Sequence, residues 1–167
     1  MPDARHFATL PCPLWRRLLA LVYDLLIVVA LVMVVGLLCQ LATGGRLIRI
    51  GAHAVVPLWY QALQGAVVAA YFISSWRRGG QTLGMRPWRI RVCRTDGGTL
   101  SLRQALIRAL AAAAPLLLLA LAPRLGLHAV LWALLLAWAL WFAPALLDPR
   151  RRAVHDMAAG SELRRLD

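Results

Sequence analysis

"RRLLALVYDLLIVVALVMVV", Arg16–Val35, places a carboxylate, Asp24, inside an otherwise apolar run that follows a pair of arginines. A bilayer core is crossed by about 20 apolar residues in helical form. The run here extends from about Leu18 to Ala42, closing near Gln40. A secretory h-region is only about 7–15 residues long and carries no acid. This stretch is longer and contains Asp24, so a retained membrane anchor is expected. "VGLLC" before Gln40 resembles a lipoprotein site, but Leu38 is too large for the small residue such a site needs.

The rest of the chain agrees with that reading. Its 167 residues are 61% hydrophobic, against about 45–50% for soluble domains, and the mean hydropathy is +0.67. The length suits about one domain. A second span is predicted from about Val55 to Trp76, with Trp59, Tyr60, Tyr71 and Trp76 as interfacial aromatics. A third runs from about Ala105 to Ala122, and "PRLG" turns it into a fourth, about Leu127 to Leu147. The fold class is therefore an all-α membrane protein with four transmembrane helices.

The formal charge of +12 would suggest nucleic acid in a soluble chain. Here the basic residues number 19, all arginine, and they flank the apolar runs. Arg5, Arg16 and Arg17 precede or open the first span. Arg77, Arg78, Arg86, Arg89, Arg91, Arg94 and Arg103 fill the central interval, with Arg108 just inside the third span, and Arg150, Arg151, Arg152, Arg164 and Arg165 lie in the tail. Only Arg46, Arg49 and Arg124 fall on the other side. This asymmetry places both termini and the central interval in the cytoplasm by the positive-inside rule. The expected location is the cell inner membrane. Anionic headgroups are the partner of the cytoplasmic arginines, and nucleic acid is excluded.

The central interval reads "GGQTLGMRPWRIRVCRTDGGTLS", residues 79–101. Gly80 and Gly84 resemble half a phosphate loop, but no Lys-Ser/Thr pair follows, which excludes a nucleotide loop. From Trp88 to Arg94, apolar and basic residues alternate with the period of a strand. Asp96-Gly97 is a hairpin turn signal, and "TLS" is the expected return strand. A small cytoplasmic β-hairpin between the second and third spans follows.

Arg17, Ala20 and Asp24, then "GQTLGMRPWRIRVCRTDGGTLSLRQALIRAL", then "DPRRRAVHDMAAGS" together resemble the RDD family of small integral membrane proteins. The resemblance covers about Leu14 to Ser161. It implies residues 1–13 as a cytoplasmic segment, 14–161 as the RDD domain and 162–167 as a tail. The family is named for an arginine opening its first helix, an aspartate within that helix and a second aspartate. These correspond by position to Arg17, Asp24 and Asp156, with Asp148 as the rival for the last. Gly80, Gln81, Thr82 and Gly84 form its cytoplasmic motif. Met85 stands where a lysine is common and Ser161 where a threonine is usual. Some members of the family are linked to sodium/proton exchange.

Physical chemistry assigns the charges further. Arg17 and Asp24 share a helix face but lie about 10 Å apart along the axis. Arg17 is therefore expected to snorkel to the headgroups. An ionised aspartate in mid-bilayer costs roughly 2.5–3.5 kcal/mol, so Asp24 should be buried and paired. Depth counting from Ser101 makes Arg108 its expected partner across the first and third spans.

No metal or catalytic arrangement is apparent. Cys12, Cys39 and Cys93 are odd in number without ligand spacing, and His53, His128 and His155 form no pair. The expected function is a non-enzymatic accessory or scaffold protein without a cofactor, working as a homo-oligomer or with a membrane-protein partner. The alternative is a small ion transporter of the sodium/proton exchange type using Asp24 as its ion-binding carboxylate.

Overall fold

The computed structural model describes residues 12–47 and 56–166. The expectations for Arg5, Arg49 and His53, and the start of the second span at Val55, lie outside the described residues.

The opening stretch lies in one helix, α1 (Leu14–Ala42), of 29 residues. Its buried residues are Arg17, Ala20 and Asp24. Steps of three and four residues keep them on one stripe, and most of the remaining apolar side chains are exposed, Leu26 and Met33 among them. The second helix, α2 (Leu58–Arg78), begins after Pro57 and ends at Gly79. Gly36 lets the two helices approach, since a Cβ there would meet the Tyr60 hydroxyl at 2.8 Å.

Ser101 starts α3 (Leu102–Ala113) with a full capping box. Its hydroxyl accepts from the Gln104 N–H, while the Gln104 side chain accepts from the Ser101 N–H. Pro115 then removes an N–H that would have reached the Ala111 carbonyl. The helix tightens into a 3-10 segment, Ala114–Leu121, where Ala114 N–H closes on Ala111 instead. The same carbonyl accepts Trp141 Nε1 at 3.0 Å, which fastens the next long helix to this break. The chain continues through α4 (Ala122–Leu125), turns at Gly126 and returns as α5 (Leu127–Phe142) and α6 (Pro144–Leu147). Three helical stretches are long and apolar enough to cross a membrane: Leu14–Ala42, Leu102–Leu125 and Leu127–Leu147.

The sheet corrects one expectation. Strand β1 (Ile90–Arg94) falls where the alternation predicts, and Gly97 N–H closes a turn on Arg94. "TLS" does not return as a strand. The partner of β1 is β2 (Ser161–Arg165), antiparallel, with Val92 opposite Leu163 and Cys93 opposite Glu162. Cys12 N–H also donates to the Leu163 carbonyl at 3.4 Å. The end of the chain is thus held between the start of α1 and the central interval. A short helix, α7 (Val154–Ala158), precedes β2 and packs against α3. Ile90, Val92, Leu100, Leu163, Trp76 and Met85 form the core beneath this sheet. Apart from the sheet, the molecule is mostly helical.

Candidate functional site

Buried charge gathers where α1, α3, α7 and the loop after α2 meet. It is organised around two carboxylates, Asp24 and Asp156, and Asp24 does not have the partner expected from sequence.

Asp24 is held by uncharged donors. Its Oδ1 accepts from the Tyr71 hydroxyl at 2.8 Å and from Gly84 N–H at 3.0 Å, and its Oδ2 accepts from the Thr82 hydroxyl at 2.5 Å. The Gly-Gln-Thr-Leu-Gly loop therefore reaches down onto α1. Gly84 makes that approach possible, because a Cβ there would lie 2.5 Å from the Ala20 carbonyl oxygen and 2.7 Å from Asp24 Cγ. The loop is pinned at its other end by Gln81, whose Nε2 donates to the Ile90 carbonyl at 2.8 Å, and by Val92 N–H on the Gly80 carbonyl. Gly80 has φ +71, a left-handed conformation available to glycine at little cost. Tyr71 closes the arrangement by accepting from Leu83 N–H.

Asp156 is held by guanidinium groups. Arg17 Nη1 donates to its Oδ2 at 3.0 Å, Arg108 Nη1 donates to its Oδ1, and Ala153 N–H reaches Oδ2 at 2.9 Å. The arginines are 3% exposed and the carboxylate 0%, so all three charges are removed from water, two guanidiniums sharing one carboxylate. Arg108 also donates to the Ser161 hydroxyl at 2.8 Å and stacks over Trp76 at 5.0 Å. Burial alone pushes the Asp156 carboxyl upward, but the attraction of Arg108 and Arg17 outweighs it and holds the group at about 2. His155 experiences the opposite. Burial first, then Arg108 and Arg17, push it down to about 4 despite the neighbouring Asp156.

Two expectations are corrected here. Arg108 pairs with Asp156 instead of Asp24, and Arg17 is buried on the same carboxylate instead of snorkelling. The depth count that paired Asp24 with Arg108 was blind to a chain end folding back from residue 156. Tyr71, an expected interfacial aromatic, and Thr82, in the expected cytoplasmic motif, supply two of the donors to Asp24. Asp148 lies apart, bound by the Arg152 side chain at 2.8 and 3.2 Å. That contact and the Arg152 N–H hold it at about 2.

A cavity of about 40 Å³ lies beside Asp24, lined by Arg17, Asp24, Arg108 and His155 with apolar Ala20 and Met85 among others. Leu21, Ile90, Phe142 and Leu163 complete its walls, so the charged side chains face a mostly apolar space. Among the described residues no group of three His, Cys, Asp or Glu side chains comes together as a metal site.

The sequence profile of the RDD family matches residues 11–160, which include both carboxylates, both arginines and the loop that joins them. The chain belongs to the RDD family. RDD proteins are membrane proteins, which agrees with three helical stretches long and apolar enough to span. No curated protein and no solved structure matches the chain.

Proposed function

We propose that this RDD protein is a four-span inner-membrane protein with both termini in the cytoplasm, acting as a non-enzymatic scaffold rather than as an ion carrier. The observation carrying this reading is that each buried carboxylate already takes three hydrogen bonds from the chain's own donors. An ion-carrying carboxylate has to exchange partners with its cargo. These carboxylates instead tie distant parts of the chain together: Asp24 joins α1 to the loop after α2, and Asp156 joins α1, α3 and the tail. Broken buried pairs of this kind are strongly destabilising, so the geometry favours a permanent clasp.

On this reading α2, at 21 residues, is the fourth span. It is less apolar than the others because it carries Gln61, Gln64, Ser74 and Ser75, all of which are hydrogen-bonded. Gln64 donates across to the Val32 carbonyl of α1, the interhelical use of polar residues expected inside a membrane bundle. Asp156 is the family's second aspartate on this reading, since it binds the arginine that opens α1 while Asp148 binds only Arg152. The broad lipid-sized apolar faces of α1 and α5 offer the surface for association with a second copy or another membrane protein.

Reconstitution in liposomes tests the proposal. Under a sodium or a pH gradient, flux is expected to equal that of empty vesicles, while cross-linking in native membranes yields a discrete higher-mass species. Gradient-driven flux that Asp24→Asn abolishes would overturn the scaffold reading in favour of an ion carrier.

A further inference from the structure

Beyond the buried charges, the end of α5 carries an open groove of about 470 Å³ lined by Leu140, Ala143, Pro144, Leu147, Asp148 and Met157. That volume lies within the range of small-molecule sites. The groove is apolar except for Asp148, and the leucines on it are among the most exposed in the chain, Leu147 at 88%. Pro144 and the extended backbone of Asp148 end the helical stretch here, so an apolar trough meets the polar boundary at this point.

The charges that follow it along the chain are not symmetrical. Asp148 is neutralised by Arg152 through two side-chain hydrogen bonds. Arg150 and Arg151 follow it after Pro149, across a turn closed by Arg151 N–H on the Asp148 carbonyl at 2.8 Å. Arg151 is exposed and has φ +51, an uncommon left-handed conformation for a residue with a side chain. Among the described residues it makes no ion pair. Arg150 is 58% exposed and stands 3.9 Å from Glu162, whose other oxygen is already held by Arg164 at 2.5 Å. The chain that leaves the trough at Asp148 thus carries two guanidiniums with spare donors beyond a carboxylate whose charge is cancelled.

We infer that this groove binds one anionic phospholipid, with an acyl chain along Leu140, Ala143, Leu147 and Met157 and the phosphate on Arg150 and Arg151. Guanidinium groups match phosphate oxygens in a two-pronged geometry. A basic cluster directly beyond a membrane helix attracts anionic lipid with a strength that adds per arginine. The trough supplies the apolar half of the ligand and the turn supplies the charged half. The inference uses α5 as a membrane helix and does not depend on whether the buried carboxylates carry ions.

Native mass spectrometry of the full chain in mild detergent tests it, using phosphatidylglycerol and phosphatidylcholine with identical acyl chains. Phosphatidylglycerol should be retained about thirtyfold more tightly, as two guanidiniums near a lipid headgroup imply. The double variant Arg150→Gln, Arg151→Gln should lower that preference to near parity, and lysines at both positions should largely restore it. Ala143→Trp, which fills the trough, should weaken both lipids. Millimolar inorganic phosphate should leave the bound lipid in place. Equal retention of both lipids by the unmodified chain would mean ordinary annular lipid and would overturn the inference. So would a preference that survives loss of both arginines, displacement of the lipid by free phosphate, or a dimer whose formation excludes it. Both arginines lie on the surface, so the variants are expected to fold, which a matching thermal unfolding profile verifies.

Discussion

Asp24 and Asp156 are both fully buried aspartates, yet they are stabilised by opposite means. Asp24 rests on two hydroxyls and a backbone N–H, all uncharged. Asp156 rests on two arginines and a backbone N–H. Loss of the first carboxylate leaves neutral donors without an acceptor. Loss of the second leaves two like charges facing each other out of water. The comparison teaches that a buried acid's importance follows from what its removal abandons, and the two cases should separate cleanly under mutation.

The largest expected effect is at the charged node. Asp156→Ala should destabilise the protein by about 3–5 kcal/mol, the usual cost of removing one partner of a buried ion pair, read as a drop in thermal unfolding midpoint in detergent. If Asp156→Ala costs no more than Asp24→Ala, the distinction between the two nodes collapses.

Acidification probes the same node through His155, which is faced by Arg108 from α3, Arg17 from α1, Phe142 from α5 and Asp156 on its own helix. Its folded value of about 4 lies below the ordinary 6.5, so the unfolded chain binds more protons between those values. Stability must therefore fall as pH drops from about 6.5 to about 4, by up to roughly 3 kcal/mol. Asp156, held at about 2, adds stability that persists above its ordinary 3.8 and disappears as pH falls through about 2. Unfolding midpoints measured between pH 8 and 4 should show the first loss, and His155→Gln should remove it. A flat profile in the unmodified protein would contradict the buried, neutral histidine.

At the uncharged node, Gly84→Ala should cost about 1–3 kcal/mol, because the new methyl group overlaps the α1 backbone and the surroundings must shift. Tyr71→Phe should cost about 1 kcal/mol, the worth of an ordinary hydrogen bond, and it also leaves Leu83 N–H without its acceptor. The smallest effect is expected at Asp148. Its partner Arg152 lies towards the surface, so Asp148→Asn should leave the midpoint unchanged in the same assay. A large loss there would return Asp148 to contention as the family's second aspartate.

Much of this architecture is legible before any coordinates. The apolar run with Asp24, the break at "PRLG" and the alternation over residues 88–94 correspond to a long helix, a turn between two helices and a strand. Local patterns are enough there because helices and strands satisfy their own backbone and show their period in the chain. The family motifs also drew attention to Arg17, Asp24, Asp156, Gly80, Gln81, Thr82 and Gly84, and these do lie at or beside the buried cluster. What no local pattern carried is which acid meets which base. Depth counting treats each helix as a ruler and assumes that partners come from other helices. It could not foresee a loop descending to Asp24 or a tail climbing back to Arg17.

The sequence by itself determined that this chain belongs in a membrane, where its helices lie and which residues carry unusual charge. The reason is energetic and local: apolar runs and arginine-rich flanks are set by composition. Only the tertiary structure decided that β1 pairs with the end of the chain, that Arg17 and Arg108 share Asp156, and that Asp24 is satisfied by Tyr71, Thr82 and Gly84. Those choices depend on contacts between residues up to 139 positions apart, because a buried charge is tolerated only beside a partner, and here the partners come from distant parts of the chain.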